Sequence, residues 1–146
     1  MVETNDRRLP VGIQSFEKIR KEGYLYVDKT DIIWQLANRN KTYHYLSRPR
    51  RFGKSVLVDT LEAYFLGKKE LFEGLKIMQL ETEWVKRPVI RLDMSRAGAE
   101  PETLRSYLDI TFDRLEEEYG IIPKPTARLA DRFNAIIVGA YEQTGQ

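Results

Sequence analysis

Short aromatic and β-branched runs alternate with amphipathic helical stretches along this chain, and this alternation constrains the fold most. Residues 24–27, 42–46 and 88–94 have the composition of strands. The periodicity of apolar side chains predicts helices at residues 31–40, 54–65, 101–119 and 126–144. Strands that alternate with helices are typical of an α/β fold, so we expect a three-layer sandwich with a mainly parallel sheet.

The apolar positions of these helices predict which side chains form the core. They are Ile33, Trp34, Leu36 and Ala37; Leu57, Leu61, Tyr64 and Phe65; Leu104, Leu108, Phe112 and Leu115; and Leu129, Phe133, Ile136, Ile137 and Tyr141. Leu71, Phe72, Leu75 and Ile77 predict a further short packed segment. The last helix is followed by no strand, although its apolar stripe needs a sheet to cover, so we expect the 146 residues to be a truncated piece of a larger domain.

Length and composition favour one cytoplasmic domain. A chain of 146 residues with 42% hydrophobic content can form a single core. It has no cysteine, which excludes disulfides and thiolate chemistry, and neither a signal peptide nor a run long enough to cross a membrane. The formal charge is only +2, but residues 1–54 have a net charge of +6 and residues 55–146 a net charge of −4. The positive charge is therefore concentrated in the first part of the chain.

A basic loop, residues 47–55, lies between the second predicted strand and the second predicted helix. The start of a helix offers unpaired N–H groups and a partial positive charge of about +0.5, which favour an anion. Gly53 permits close approach of the backbone, Lys54 can reach the β- and γ-phosphates, and the hydroxyl of Ser55 can bind Mg²⁺. The order strand, loop, helix therefore predicts a phosphate-binding loop of the P-loop NTPase type.

The loop departs from the usual pattern G-x-x-x-x-G-K-[ST]. Arg48 stands where that pattern has its first glycine, and an arginine resists a positive φ by about 1–2 kcal/mol. Pro49 has no N–H to donate. Arg50 and Arg51 can offset these losses with guanidinium groups that bind phosphate oxygens, or they can form only a solvated basic rim.

Several stretches together resemble one family from about residue 9 to the end of the chain. They are LPVGIQSFEKIR at 9–20, YLYVDKT at 24–30, LSRPRRFGKSVLVDTLEAYF at 46–65, GKKELFEGL at 67–75 and RPVIRLDMS at 87–95. These stretches look like the AAA-ATPase-like family that is common in Bacteroides. In that family RPRRFGKS is the usual wording of the Walker A loop, so the resemblance implies that ATP and Mg²⁺ are the ligands.

The resemblance implies the following nucleotide-binding residues in this chain: Arg48, Pro49, Arg50, Arg51, Phe52, Gly53, Lys54 and Ser55, with Ser55 also a metal ligand. Members of the family continue with a Walker B strand that ends in an Asp-Glu pair, and often with a nuclease-like domain of the PD-(D/E)XK type. Neither occurs in these 146 residues. Asp93 lies near the C-terminal end of the third predicted strand and is followed by Met94, so its role stays open between metal binding, a structural role at the strand end and a role at the nucleotide edge. Without the acidic pair, we expect the segment to bind nucleotide better than it hydrolyses it.

Two alternatives remain from the sequence. Arg48, Arg50, Arg51 and Lys54 can instead form a surface that binds nucleic acid, which the nuclease-like domain implied by the resemblance makes reasonable. An unpaired edge of the predicted sheet can also lead the chain to associate with itself. The single histidine, His44, lies within an aromatic run and cannot form a multi-histidine metal site, so we expect a structural role for it.

Overall fold

Helices are the regular structure of the part of the chain that a computed structural model describes, namely residues 7–39, 43–122 and 127–145. The α-helices there are α1 (Phe16–Lys21), α2 (Thr30–Asn38), α3 (Lys54–Phe65), α4 (Pro101–Glu118) and α5 (Leu129–Thr144). Short 3-10 helices cover Lys69–Phe72, Lys76–Gln79 and Met94–Arg96. Since the described residues contain no β-strand, the predicted P-loop NTPase-like sandwich with a parallel sheet is wrong.

The predicted strands do not form a sheet, because their backbone groups make hydrogen bonds to groups outside a neighbouring strand. The N–H of Leu25 donates to the carbonyl of Arg8 at 2.9 Å, and the N–H of Asp93 donates to the hydroxyl of Tyr107 at 2.7 Å. Residues 43–46 are exposed and belong to no helix or strand. A strand requires a partner with a matching register, and composition alone does not supply one.

The predicted helices are confirmed with small changes at their ends. α3 has the predicted bounds, α2 begins one residue earlier than predicted, and α4 ends one residue earlier. Residues 40, 42 and 126, at which a predicted helix or strand begins or ends, lie outside the described residues. Local periodicity and end signals, such as Pro101 at the first position of α4, were sufficient to define these helices.

The chain divides into two compact units, Met1–Lys86 and Arg87–Gln146. The core of the first unit is formed by side chains of α1, α2, α3 and the two 3-10 helices that follow them: Phe16, Ile33, Ala63, Leu71, Phe72, Leu75 and Ile77. Leu71, Phe72, Leu75 and Ile77 are all buried, which confirms the short packed segment. The rings of Phe16 and Phe72 lie 4.9 Å apart, so aromatic packing joins α1 to the segment after α3.

Asp28 and Thr30 fasten the start of α2 to the 3-10 helix Lys76–Gln79. One carboxylate oxygen of Asp28 accepts from the N–H and the hydroxyl of Thr30, at 2.9 and 2.7 Å. The other accepts from the N–H of Lys76 at 2.7 Å, and the buried hydroxyl of Thr30 accepts from the N–H of Ile77 at 3.1 Å. Burial by itself raises the pKa of Asp28, but these hydrogen bonds outweigh it and hold the pKa below its ordinary value.

This pKa shift predicts acid sensitivity of the first unit. A carboxylate whose folded pKa lies below the unfolded value adds stability above the unfolded pKa, and that stability is lost as the pH falls through the folded pKa. We expect Asp28→Asn to cost about 1–2 kcal/mol at pH 7, because its NH₂ group cannot accept from Lys76, and to flatten the dependence of stability on pH below about 4. Urea unfolding followed by the fluorescence of Trp34 and Trp84 measures both effects; Asp31→Asn, in the first turn of α2, is the control. An unchanged pH dependence in Asp28→Asn contradicts the assignment.

The second unit contains α4 and α5, which pack through a separate core. Phe112, Leu115, Tyr119, Ile136 and Ala140 are its buried members. Ile137 and Tyr141 were predicted to be buried, but 47% and 61% of their surfaces are exposed. This part of the prediction was wrong because Ile136 and Ala140, one position earlier on α5, face the core instead.

An arginine with four hydrogen bonds to carboxylates links α5 to α4. The guanidinium of Arg132 donates to Glu116 at 2.8 and 2.6 Å, to Asp109 at 2.9 Å and to Asp113 at 2.6 Å. The side chain of Arg132 is only 11% exposed and that of Glu116 only 4% exposed. Hydrogen bonds to Glu116 are the main reason that the pKa of Arg132 is raised above its usual value. The pair Arg132–Glu116 is therefore a buried ionic contact, in contrast to the exposed ion pairs elsewhere on the helices.

Among the described residues, none of the helices combines the length and the apolar composition that crossing a membrane requires. The described residues also present no sheet edge, so the basis on which self-association was predicted is absent from them. Self-association itself stays a prediction, and light scattering over a range of concentrations tests it.

Candidate functional site

The basic loop leads directly into α3. Residues 43–53 contain no helix or strand, and α3 begins at Lys54 with Gly53 at the N-cap position. Gly53 has a φ of 74° and a ψ of 16°, and no side chain caps this helix end. The first N–H groups of α3 therefore lack the side-chain acceptor that most helix starts provide.

Lys54 bonds back onto the loop that precedes it. Its ammonium group donates to the carbonyl oxygen of Pro49 at 3.1 Å and to that of Arg48. These contacts close a ring of seven residues, Arg48 to Lys54, around the ammonium group. The structure thus brings together the two ends of the predicted loop, with a cation at the centre of the turn.

Two residues of the loop have left-handed backbone conformations, Arg51 with a φ of 66° and Gly53 with a φ of 74°. The sequence pattern placed the expected strain at Arg48, but Arg48 is not among the described residues with a positive φ. Only Gly53 adopts this conformation without a steric penalty; Arg51 is strained by about 1–2 kcal/mol. Strain of this kind is concentrated at functional sites, and no sequence motif indicated it.

Most of the predicted site residues are accessible. Arg48, Pro49, Arg50, Arg51, Phe52, Gly53 and Ser55 are exposed, and Lys54 is partly buried. The exposed fraction of Phe52 is 62%, which is high for a large apolar side chain. Three guanidinium groups, one ammonium group and one hydroxyl group therefore lie on a loop of eight residues that is open to a ligand.

Contacts behind the loop hold α3 in place. Asp59 accepts from the N–H of Phe16 at 2.6 Å, which fixes the start of α1 against α3. Thr60 is fully buried, and its hydroxyl donates to the carbonyl of Val56 at 2.7 Å. Beyond the end of α3, the ammonium of Lys68 bonds Glu17 at 2.9 Å. The helix that follows the loop is thus anchored to α1 and to the core of the first unit.

The two left-handed residues predict opposite effects of substitution on stability. Arg51→Gly is expected to stabilise the first unit by about 0.5–1 kcal/mol, because glycine adopts this φ without strain. Gly53→Ala is expected to destabilise it by about 1 kcal/mol through backbone strain alone, since an added Cβ meets no atom within 4 Å. Urea unfolding measures both. Arg50→Gly is the matched control and should destabilise slightly; stabilisation equal to that of Arg51→Gly would mean that the φ of Arg51 is not the cause.

Asp93, whose role the sequence left open, caps a 3-10 helix in the second unit. One of its oxygens accepts from the hydroxyl of Ser95 at 2.6 Å and from the N–H of Ser95 at 3.2 Å. The hydrogen bond from the Ser95 hydroxyl is the main cause that lowers the pKa of Asp93. Within the described ranges, no three His, Asp or Glu side chains are grouped as a metal site would need.

A groove lies in the second unit. Pro88, Ile90 and the outer face of α5 line a groove of about 520 Å³. The ionisable side chains in the lining of this groove are those of Glu142 and Tyr141. This groove lacks the cations that a polyphosphate requires, so the loop before α3 is the better candidate for an anionic ligand.

Comparison with known proteins shows the family to which the chain belongs. A family model described as "Predicted AAA-ATPase" matches residues 10–146. The chain therefore belongs to the AAA-ATPase-like family. The family expected from the motifs is thus confirmed.

A curated relative is an uncharacterized protein encoded in the vnfD 5′ region of Azotobacter chroococcum mcd 1. It is 48% identical over 88 residues, which are 59% of this chain and 17% of that protein. The chain thus matches less than a fifth of the length of this relative. No solved structure matches the chain.

Proposed function

We propose that this chain binds ATP with Mg²⁺ through the loop Arg48 to Ser55. The observation that carries the proposal is the arrangement of Gly53 and Lys54: a left-handed glycine begins α3, and the next ammonium group lies over the loop. Membership of a family described as ATPases supports the choice of ligand. The uncapped start of α3 adds N–H donors and a partial positive charge at the same place.

In this proposal the carbonyl oxygens that Lys54 contacts are substitutes for phosphate oxygens. An ammonium group prefers anionic oxygens to neutral carbonyls, because hydrogen bonds between charged groups are roughly twice as strong as those between neutral groups. A polyphosphate in the loop would therefore take over the bonds that Lys54 makes with Arg48 and Pro49.

Arg50 and Arg51 are further phosphate-binding residues of the proposed site. Both guanidinium groups are exposed, and each can bind two phosphate oxygens at once. They supply charge where Pro49 provides no N–H. In the proposed site, the left-handed backbone of Arg51 turns the loop around the phosphates, and this gives the strain at Arg51 a function.

Ser55 is the proposed protein ligand of Mg²⁺. Its hydroxyl is exposed in the first turn of α3, next to the residue that holds the phosphates. Mg²⁺ commonly keeps several waters and takes other oxygens from the nucleotide, so one hydroxyl from the protein is sufficient. A cluster of carboxylates is not needed for this mode of binding.

Isothermal titration tests the proposal directly. The chain is titrated with ATP in Mg²⁺ and again in EDTA, with wild type and Ser55→Ala. We expect saturable heat in Mg²⁺, weaker binding in EDTA, and loss of most of this metal dependence in Ser55→Ala. Ser106→Ala, a serine on α4 in the second unit, is the matched control and should behave as wild type. Absence of heat for ATP in both buffers contradicts the proposed function.

The proposal is limited to binding. Hydrolysis requires a group that positions the attacking water, and the family resemblance assigns that task to an acidic pair that these 146 residues do not contain. We therefore expect the chain to release phosphate far more slowly than it exchanges nucleotide. A phosphate-release assay under the titration conditions measures this; rapid turnover would assign the missing acid to a residue of this chain.

A further inference from the structure

We propose that residues 43–51, here called the aromatic-basic segment, bind single-stranded nucleic acid. This inference concerns a second ligand and does not depend on ATP binding. Its starting point is the exposure of two tyrosines. The exposed fractions of Tyr43 and Tyr45 are 90% and 93%, and only His44 lies between them.

Such exposure is unusual for aromatic side chains. Tyrosine has a large apolar ring that is favourable to cover, and tyrosines are normally at least partly buried. Elsewhere in the first unit, Tyr26 and Tyr64 pack against the core. Tyr43 and Tyr45 instead offer both ring faces to a ligand, and a nucleobase is a planar group that covers such a face by stacking.

The positive charge of the segment complements the negative charge of a phosphate backbone. Arg48, Arg50 and Arg51 follow the tyrosines within six residues, and all three are exposed. The sequence has no acidic residue between Asp31 and Asp59, whereas it has six lysines and arginines in that interval. Aromatic rings next to a run of cations are the combination by which proteins bind single strands with little sequence preference.

Stacking on the exposed tyrosine rings distinguishes single-stranded from double-stranded nucleic acid. In a duplex the faces of the bases are already stacked on their neighbours, so the tyrosines could contact only edges and backbone. In a single strand the faces are accessible, and stacking adds to the phosphate contacts. We therefore expect a clear preference for single strands, which a purely basic surface would not produce.

Fluorescence anisotropy with a labelled oligothymidylate of 12 nucleotides tests the inference on the full chain. We expect saturable binding that is at least about 10-fold tighter than to a duplex of the same length. The double variant Tyr43→Ala, Tyr45→Ala should weaken binding about 10-fold or more. Tyr141→Ala, which removes an exposed tyrosine of the second unit, is the control and should leave the affinity unchanged. An oligouridylate in a parallel titration shows whether DNA or RNA is preferred.

Salt dependence gives an independent readout of the arginines. Three phosphate contacts predict a slope of log affinity against log salt of about −2, so that raising the salt from about 50 to 200 mM weakens binding roughly 20-fold. In Arg48→Ala, Arg50→Ala the same change should weaken it only about 3-fold. Arg114→Ala, an exposed arginine of α4, should retain the wild-type slope.

Several outcomes overturn the inference. Equal affinity for single and double strands, or an unchanged affinity in the double tyrosine variant, would exclude stacking. Binding to vesicles that contain phosphatidylserine, without binding to any oligonucleotide, would assign the segment to a membrane surface. The double tyrosine variant should still bind Mg·ATP, whereas Lys54→Ala should still bind the oligonucleotide within about 3-fold, so each proposal can fail without the other.

Discussion

Lys54→Ala is expected to weaken the binding of Mg·ATP about 100-fold. The variant removes the ammonium group that lies over the loop. With it are lost the proposed hydrogen bonds to phosphate oxygens, which contribute about 1.5–3 kcal/mol each when charge is involved. A loss of about 2.8 kcal/mol corresponds to the stated factor. Isothermal titration at constant Mg²⁺ measures the change.

Two variants make this result specific. Lys69→Ala removes an exposed lysine that, like Lys54, is the first residue of a helix, here the 3-10 helix Lys69–Phe72, and it should bind as wild type. Lys54→Arg keeps the charge but not the compact ammonium, so we expect a partial loss of about 10-fold. Equal affinities for wild type and Lys54→Ala would remove the basis of the proposed function. A loss of the same size in Lys69→Ala would point to a general effect of charge.

Arg132→Ala is expected to destabilise the second unit by about 3–5 kcal/mol. The substitution leaves Glu116, which is 4% exposed, as a buried carboxylate without the guanidinium that bonds it twice. It also removes the contact of the guanidinium with the ring of Phe112, at 5.7 Å from the ring centre. Since Trp34 and Trp84 both belong to the first unit, hydrogen exchange of α4 and α5 during urea unfolding is the suitable measurement.

The controls separate burial from charge. Arg128→Ala breaks an ion pair with Asp131 in which the arginine side chain is 83% exposed, and we expect a change of no more than about 1 kcal/mol. Arg132→Met combined with Glu116→Leu removes both buried charges and should recover much of the loss, because well-packed apolar side chains can replace such a pair. If Arg128→Ala and Arg132→Ala cost the same, burial is not what makes Arg132 important.

The sequence predicted the helices well because their signals are local. Apolar side chains three and four residues apart, with Gly53 before α3 and Pro101 at the start of α4, define a helix without reference to the rest of the chain. The same locality predicted that Gly53, Lys54 and Ser55 lie at the start of α3. The choice between Ile136 and Ile137 as the buried side chain was not local, because it depends on how α5 rotates against α4.

The sheet could not be predicted in this way. A run such as Tyr43 to Leu46 has the composition of a strand, but a strand exists only if a second segment pairs with its N–H and carbonyl groups. In the described residues the backbone near these runs bonds elsewhere, as at Leu25 and Asp93. The strand predictions from composition were therefore wrong, because composition does not specify the bonding partners that a sheet requires.

By itself, the sequence determined the family, the helices α2 to α5 and the cluster of cations before α3, since motifs, periodicity and charge are properties of neighbouring residues. The tertiary structure alone decided that Lys54 bonds to the carbonyls of Arg48 and Pro49, that Arg51 is left-handed, and that Arg132 is paired with Glu116. The physical reason is that these contacts depend on backbone turns and on helix packing, which bring together groups whose spacing in the sequence carries no periodic signal.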